Sequence, residues 1–310
     1  WSPHINSNVA TVKAVMNSIL SLKRYSNNYE ISLINLFGEW ENSRNNLKDV
    51  KLINFLISKI SPIKKNVTGF IKSRFFYILL GIVSIGSLYK LLKRDKPDYI
   101  IIHLLTFIPL SLLILFNFKT KFILRISGFP KFTLFRKFLW KLSSKKIYKV
   151  FCPTEETIKI LKSKKIFQDD KIHFLEDPVL EISKINKKKR ENIGDLPYSN
   201  KYILAIGRLS EQKNFKLLIE FFSNISKKDK DLSLVIVGEG ELRSSLEKNI
   251  FKKSLEKKVF LLGYKKNVFN LLSKCQCFIL SSLWEDPGFV LLEAAATNTT
   301  IISSDCSSGP

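Results

Sequence analysis

Short apolar runs alternate with helical patterns along almost the whole chain, and this alternation limits the fold more than any other feature. Alternating strands and helices are typical of βαβ units, which build parallel sheets, so the sequence predicts an α/β fold. The predicted strands are 30–37, 98–103, 122–126, 149–152, 171–175, 202–206, 232–237, 259–262, 277–280 and 300–303, and the helices between them include 9–24, 155–163, 215–226, 242–253 and 268–274.

Two such arrays flank a polar stretch at 187–200 that contains four consecutive basic residues, a glycine and a proline. We interpret residues 1–190 as a first Rossmann-like domain, 191–200 as the linker and 201–310 as a second Rossmann-like domain. Ligands of open parallel sheets bind beyond the carboxyl ends of the strands. Two facing domains therefore predict a ligand cleft between them.

No signal peptide or membrane span is predicted. The apolar stretches 75–92 and 99–118 approach the length that crosses a bilayer. The first fits a buried helix, and the second fits a buried strand followed by a core helix. Trp1 is not a natural first residue, and the chain stops in a loop directly after an apolar strand. We therefore expect a longer protein in which most of the first strand precedes Trp1.

The formal net charge of +24 is concentrated in the first part of the chain. Residues 1–200 hold 35 basic and 15 acidic residues, whereas residues 201–310 hold 16 and 12. Such a field favours anionic partners, among them phospholipid head groups, nucleic acid and phosphorylated substrates. No nucleic-acid-binding motif accompanies the charge, so no nucleic-acid partner is predicted.

The four cysteines indicate a reducing compartment. Cys275 and Cys277 lie two apart in an apolar run, so on a strand they share one face. Zinc sites use other spacings and more ligands. We interpret the cysteines as reduced core residues of a cytoplasmic protein.

The loop after the predicted strand 202–206 runs Gly-Arg-Leu-Ser-Glu-Gln-Lys-Asn, from Gly207 to Asn214. Gly207 allows a tight turn, and Arg208 and Lys213 then share one loop ahead of a helix. Two cations fixed in this way neutralise a diphosphate. If this loop is considered alone, Arg208 and Lys213 are better explained as two solvated surface charges.

The loop after the ninth predicted strand carries Glu285 and leads into a helix that contains Glu293. At the start of that helix the amides of Gly288, Phe289 and Val290 are free and suited to anionic oxygen. A carboxylate inside an apolar helix needs a partner. A sugar hydroxyl or a buried basic residue would serve for Glu293.

Three elements in this order, each at the end of a predicted strand, resemble glycosyltransferase family 4. They are Gly-Arg-Leu-x-x-x-Lys-Asn from Gly207, Val-Gly-x-Gly-x-Leu from Val237, and Glu285 followed after seven residues by Glu293 and Ala-Ala-Ala. Considered alone, the Val-Gly-x-Gly segment is explained at least as well by a structural turn as by a ligand-binding loop. The match covers about 202–310. It implies the GT-B fold, with two facing Rossmann-like domains and an interdomain cleft.

The resemblance also implies roles for these residues. Arg208 and Lys213 would hold the diphosphate of a UDP- or GDP-sugar, and the helix amides would add contacts to sugar and phosphate. Glu285 would bond the sugar hydroxyls as a catalytic residue, and Glu293 would bond the ribose. The family retains anomeric configuration without a metal or a protein nucleophile, and no Asp-x-Asp metal signature lies near these residues.

The implied reaction transfers the sugar to a glycan or lipid-linked acceptor in bacterial surface polysaccharide synthesis. Its main requirement is stabilisation of the negative charge on the departing nucleotide diphosphate. A sugar-nucleotide epimerase of the same fold is the alternative, and a basic nucleic-acid-binding protein is a weaker one.

In the first domain, His103 closes a predicted strand at a point where family members often carry a histidine or an acid facing the reacting sugar. Catalytic and structural roles for His103 are equally well supported. Arg125 ends the next strand and Asn6 lies in the loop after the first strand, so both are candidates for the cleft. His173 is interpreted as structural.

Residues 119–154 contain ten basic residues and no acidic one. Apolar side chains at helical spacing stand among them, namely Phe135, Phe138, Leu139 and Leu142. The segment 131–149 is therefore a candidate for peripheral contact with an anionic membrane, at the inner face of the plasma membrane. A helix with one core face and one solvated basic face explains the pattern equally well.

Overall fold

The computed structural model describes residues 1–4, 10–26, 28–47, 50–55, 70–126, 128, 130, 132–178, 180–191, 201–285, 288–306 and 309–310, with Ala10, Asn46 and 70–80 described by their backbone. The chain forms two compact units, Trp1–Val179 (unit 1) and Leu180–Pro310 (unit 2).

Unit 1 contains two parallel sheets, one of two strands and one of four in the order β3-β4-β5-β6. Trp1 lies beside β3, since its amino group donates to the carbonyl of Ile101 at 2.8 Å and its carbonyl accepts from the amide of His103 at 2.9 Å. The strands are β1 (Ser32–Asn35), β2 (Lys51–Asn54), β3 (Tyr99–Ile102), β4 (Lys121–Arg125), β5 (Lys149–Cys152) and β6 (Ile172–Phe174). The helices are α1 (Ala10–Tyr25), α2 (Phe70–Arg94), α3 (Phe107–Leu115), α4 (Leu134–Ser143) and α5 (Glu155–Ser163).

The C-terminal half of α2 buries Leu88, Leu91 and Leu92 but leaves Ile82 and Val83 exposed. The apolar stretch predicted as a buried helix is therefore helical and covers the core with one face. Across the described ranges, none of the helices combines the length and the hydropathy that crossing a bilayer requires.

Unit 2 is one five-stranded parallel sheet in the order β11-β10-β7-β8-β9. Its strands are β7 (Tyr202–Ile206), β8 (Ser233–Val237), β9 (Val259–Leu261), β10 (Cys277–Leu280) and β11 (Ile301–Ser303). Its helices are α6 (Ile182–Lys189), α7 (Phe215–Lys228), α8 (Arg243–Lys252), α9 (Phe269–Lys274) and α10 (Phe289–Ala295).

The sheet of unit 2 is buried on both faces. Along β8, Leu234 and Ile236 pack into one apolar cluster, whereas Val235 and Val237 pack into the other. A strand covered on both faces has no reason to alternate between apolar and polar residues, which explains its uninterrupted apolar run.

Residues 182–189 form α6 and contact α9 of unit 2, although the sequence placed them in the first domain ahead of a linker. Ile185 lies in the core of unit 2, and Asn270 donates to the carbonyl of Lys189 at 2.9 Å. The amide of Asn267 likewise donates to the carbonyl of Lys188. These hydrogen bonds to the last carbonyl groups of α6 hold the end of the helix against unit 2. Of the predicted linker, only Glu191 falls within the described residues.

Candidate functional site

The strand order of unit 2 reverses direction between β7 and β10. The chain runs from β7 outward to β9, then returns to β10 on the other side of β7 and ends at β11. In open parallel sheets, ligands bind beyond the carboxyl ends of the strands at such a switch point. The loops after β7 and β10 therefore stand where a ligand site is expected.

The loop after β7 brings Lys213 back over Gly207. After a 3-10 turn at Glu211–Lys213, Asn214 adopts a left-handed backbone conformation with φ of 49°, and α7 begins. A Cβ atom on Gly207 would lie 2.8 Å from Cε of Lys213. Gly207 thus leaves room for the aliphatic stem of Lys213, which lies across it.

Lys213 and Glu285 form an ion pair at the switch point. Nζ of Lys213 donates to Oε1 of Glu285, and the hydroxyl of Ser282 donates to the same oxygen at 2.5 Å. The side chains of Lys213 and Glu285 are only 13% and 6% exposed. Charges this deeply buried persist when they are paired and hydrogen-bonded, as these are.

Hydrogen bonds to backbone carbonyl groups fix the two loops against each other. The amide of Leu283 donates to the carbonyl of Gln212 at 2.8 Å, and the side chain of Gln212 donates to the carbonyl of Trp284 at 2.8 Å. The hydroxyl of Ser281 donates to the carbonyl of Lys213 at 2.7 Å. The position of Lys213 relative to Glu285 is therefore set by the backbone as well as by their charges.

Two glycines pack closely around Glu285. A Cβ on Gly309 would lie 2.7 Å from Cβ of Glu285, and a Cβ on Gly288 would lie 3.3 Å from it. Gly288 also has φ of 71°, which glycine adopts without strain. It precedes α10, in which Phe289, Val290 and Glu293 are all half-buried.

Arg208 differs from Lys213 in being exposed. Its carbonyl accepts from the amide of Ser210 at 2.8 Å. Within the part of the chain that the structure describes, its guanidinium has no ion-pair partner. Unit 2 thus presents one paired, buried cation and one unpaired, exposed cation in the same loop.

The glycine turn after β8 supports the loop after β7. Gly207 donates its amide to the carbonyl of Val237 at 2.9 Å, and Leu209 donates to the carbonyl of Glu239 at 3.0 Å. A Cβ on Gly238 would lie 1.8 Å from the carbonyl oxygen of Gly207. Direct contact of two backbones explains why this turn needs glycine.

In unit 1, Arg125 forms a buried ion pair with Asp177. Nη2 of Arg125 donates to Oδ1 of Asp177 at 2.5 Å, and the two side chains are 4% and 2% exposed. Arg125 ends β4, and Asp177 follows β6. The carboxyl ends of these strands lie at the same edge of the sheet, so the pair reaches past β5.

His103 follows β3 at the same edge. Its pKa is lowered from 6.5 to about 3, chiefly by burial and further by nearby positive charge that includes Arg125. His103 is therefore a neutral imidazole at neutral pH. Asn6 lies outside the described residues.

The chain has one Asp-x-Asp sequence in unit 2, at Asp229–Asp231, but it precedes β8. It therefore lies at the amino-terminal edge of the sheet, opposite to Lys213 and Glu285. Asp229 is paired there with Lys201 at 2.6 Å.

Comparisons with known proteins find a matching family for the part of the chain that holds this site. Residues 186–310, which contain the whole site of unit 2, match the family described as glycosyl transferases group 1. An uncharacterized glycosyltransferase of Methanocaldococcus jannaschii is 30% identical over 244 residues, which are 72% of this chain and 59% of that protein.

Another relative in sequence is the N-acetylgalactosamine-N,N'-diacetylbacillosaminyl-diphospho-undecaprenol 4-alpha-N-acetylgalactosaminyltransferase of Campylobacter jejuni. It is 32% identical over 124 residues, which are 38% of this chain and 33% of that protein. The chain thus spans less than two thirds of the length of these relatives.

Solved structures extend the likeness of fold beyond the family match. HepE of Anabaena, in complex with UDP and glucose, superposes with a TM-score of 0.66 and 13% identity over 99% of this chain and 80% of its own. The lipopolysaccharide outer core galactosyltransferase WaaB gives a TM-score of 0.65 and 18% identity over 98% and 79%. The predicted α/β fold of the GT-B class is confirmed.

Sequence reasoning missed Ser282 and Asp177. Ser282 is one of two serines directly after β10, and Asp177 lies three residues after the end of β6. A polar residue shortly after a parallel strand was the available signal for both. The pairing of Asp177 with Arg125 needed the strand order, which the sequence does not contain.

Replacing Asp177 with asparagine is expected to lower the free energy of unfolding by about 2 kcal/mol, because the buried guanidinium of Arg125 loses its counter-charge but keeps a hydrogen-bond acceptor. The double variant Arg125→Met with Asp177→Leu removes both charges. Its free energy of unfolding is expected to be close to that of wild type. Urea denaturation measures all three proteins. Equal stability of Asp177→Asn and wild type would show that the pair does not stabilise the fold.

The free energy of unfolding is expected to fall as pH drops from about 6.5 to about 3, because the unfolded chain protonates His103 before the folded one does. Above about pH 6.5, His103 is protonated in neither the folded nor the unfolded state. Its contribution to the free energy of unfolding then no longer changes with pH. His103→Gln is expected to remove this part of the slope. Urea titrations at several pH values test it, and an unchanged slope in the variant contradicts the lowered pKa.

Proposed function

We propose that the protein transfers a sugar, with retention of anomeric configuration, from a nucleoside diphosphate sugar to a glycan or lipid-linked acceptor. The observation that carries this proposal is the buried pair of Lys213 and Glu285 at the switch point of unit 2. Two loops that follow different strands meet there, inside the segment that matches the glycosyl transferases group 1 family.

The diphosphate of the donor is assigned to Arg208 and Lys213. Exposed Arg208 offers a fork of N–H donors that fits phosphate oxygens. One of the three N–H groups of the Lys213 ammonium donates to Glu285, and the other two are available to the ligand. As the bond to the sugar breaks, negative charge grows on the leaving nucleoside diphosphate, and cations already fixed in place stabilise it.

The sugar is assigned to Glu285. Its Oε1 accepts hydrogen bonds from both Lys213 and Ser282, so the orientation of the carboxyl group is fixed. An oriented carboxylate accepts hydrogen bonds from sugar hydroxyls. The amides of Gly288, Phe289 and Val290 add contacts to sugar and phosphate, and Glu293 is assigned to the ribose hydroxyls.

UDP- or GDP-sugars are the proposed donors. HepE of Anabaena, which shares the fold, has been solved with UDP and glucose. The mechanism proposed here needs neither a metal nor a protein nucleophile, because fixed cations supply the charge stabilisation. No nucleic-acid partner is proposed.

The acceptor is proposed to be a growing surface polysaccharide or lipid-linked glycan at the cytoplasmic face of the plasma membrane. The Campylobacter relative, by its name, acts on a diphospho-undecaprenol-linked sugar. Within the described residues, Cys275, Cys277 and Cys306 form no disulfide, which suits a reducing compartment.

In unit 1, His103 is proposed to face the reacting sugar, with Arg125 beside it. A neutral imidazole suits this place, since it donates or accepts a hydrogen bond without adding charge. Arg125 is held by Asp177 at the same sheet edge. Asn6 remains a prediction of the sequence.

Product analysis separates the proposed transferase from an epimerase. The whole protein is incubated with a UDP- or GDP-sugar in the presence and absence of a membrane lipid extract. The proposal expects lipid-linked product with the anomeric configuration of the donor, and at most slow hydrolysis without acceptor. Conversion of the nucleotide sugar to its epimer without acceptor, or a product with inverted configuration, contradicts it.

A further inference from the structure

Helix α4 exposes an unusually apolar surface. Leu134 is 86% exposed, and Phe135 and Phe138 are each 65% exposed. Leu142, one turn after Phe138, is also exposed. The spacing of these four residues places them together on the outer side of the helix. We call them, with Lys137 and Lys141, the α4 surface.

The opposite side of the helix accounts for its packing in unit 1. Leu139, Trp140 and Ser143 are buried. Arg136 also lies toward this side, with its guanidinium 5.8 Å from the centre of the Trp140 ring. The core-facing requirement of the helix is met without the exposed residues, so folding of unit 1 does not explain why they are apolar.

Basic residues border this apolar stripe, and no acidic residue interrupts them. Lys137 and Lys141 follow one another by one turn along its edge, and both are exposed. The nitrogen of Lys141 donates to the carbonyl of Lys165, which leaves its charge in place. Neither Lys137 nor Lys141 forms an ion pair with another described residue.

The end of the preceding helix is also apolar and exposed. Leu115 at the end of α3 is 71% exposed, and Phe116 beside it is also exposed. Lys146 connects this end to the region after α4, because its Nζ donates to the carbonyl of Ile114 at 3.1 Å. Helices α3 and α4 pack against each other in unit 1.

We infer that the α4 surface inserts into the head-group region of a bilayer rich in anionic phospholipid. Exposed phenylalanine and leucine at the outer side of a helix enter the acyl boundary, while lysines on the flank meet phosphate. A second copy of the chain fits poorly, because two such surfaces would bring like charges together. The inference concerns lipid binding alone and does not depend on sugar transfer.

Sedimentation with vesicles tests the inference. The whole protein is mixed with vesicles of phosphatidylcholine alone, or of equal parts phosphatidylcholine and phosphatidylglycerol. Binding is expected with the mixed vesicles only, and it is expected to weaken as salt is raised. Phe135→Ser with Phe138→Ser is expected to weaken partition by roughly tenfold or more, since two buried aromatic groups are lost. Lys137→Gln with Lys141→Gln is expected to weaken it by roughly tenfold at low salt.

A control lies on α7, where Leu217 and Phe221 are exposed one helical turn apart. Leu217→Ser with Phe221→Ser should leave partition unchanged, and circular dichroism confirms that each variant is folded. Absence of wild-type binding to the mixed vesicles overturns the inference. So does equal binding by the phenylalanine variant, or a dimer in light scattering that the phenylalanine variant abolishes while vesicles remain unbound.

Discussion

Glu285→Gln is expected to lower kcat/KM for sugar transfer by about 100- to 1000-fold, the range measured when a fixed electrostatic group is removed from an active site. Glutamine keeps the shape of the side chain and an acceptor for Lys213, but it loses the charge. The ion pair with Lys213 depends on that charge, and the hydrogen bond from Ser282 is weaker without it. Transfer from the preferred nucleotide sugar, measured under conditions in which kcat and KM separate, checks the prediction.

Glu247→Gln provides the matched control. Glu247 makes an exposed ion pair with Arg243 on α8, at 3.0 Å, and an exposed pair contributes at most about 1 kcal/mol. The same chemical change there should leave kcat/KM unchanged. If Glu285→Gln retains wild-type activity, Glu285 has no part in the reaction and the assignment of the sugar site fails.

Gly238→Ala is expected to destabilise unit 2 by about 4 kcal/mol or more, as the sum of backbone strain and overpacking. The added Cβ would lie 1.8 Å from the carbonyl oxygen of Gly207, a backbone atom that cannot rotate away. Gly238 also has φ of 148°, which alanine rarely adopts. Displacement of Gly207 would in turn move Lys213, so activity should fall together with stability.

Gly86→Ala is the control for this prediction. Gly86 lies within α2, and a Cβ there would meet nothing within 4 Å. Alanine is favoured over glycine inside a helix by about 0.8–1 kcal/mol, so this variant should be slightly more stable than wild type. Denaturant titrations of both variants test the pair of expectations. A Gly238→Ala protein as stable as wild type contradicts the close backbone contact.

Strand positions were predictable because each strand is a short apolar run between turn residues. All ten predicted strands are present, with ends within two residues of the prediction. Strand β2 was missed, since Lys51–Asn54 has only two apolar residues between polar ones. Its pairing with β1 comes from tertiary context that four residues do not contain.

The site in unit 2 was predictable in its residues but not in its contacts. Gly207, Lys213, Glu285 and Gly288 were all named from the sequence, and the structure brings them together. The ion pair itself was not foreseen, because Lys213 and Glu285 are 72 residues apart. Only the strand order, with β7 next to β10, places their loops side by side.

The α4 surface shows the opposite case. The sequence placed Phe135, Phe138 and Leu139 in one group, because all three fit a helical period. The structure separates them, with Leu139 buried and both phenylalanines exposed. Periodicity gives the existence of an amphipathic helix, but which side faces the core depends on its neighbours.

Calorimetric titration with nucleoside diphosphates tests the central claim, that the loops after β7 and β10 of unit 2 hold a nucleoside diphosphate sugar. The whole protein is titrated with UDP, GDP, ADP and dTDP, and with the matching nucleosides, and Arg208→Gln is titrated in parallel. We expect UDP or GDP to bind and the nucleosides to bind far more weakly. We expect Arg208→Gln to raise the dissociation constant of the nucleoside diphosphate by about 10- to 100-fold. Absence of binding by all four diphosphates, or equal affinity in Arg208→Gln, would contradict it.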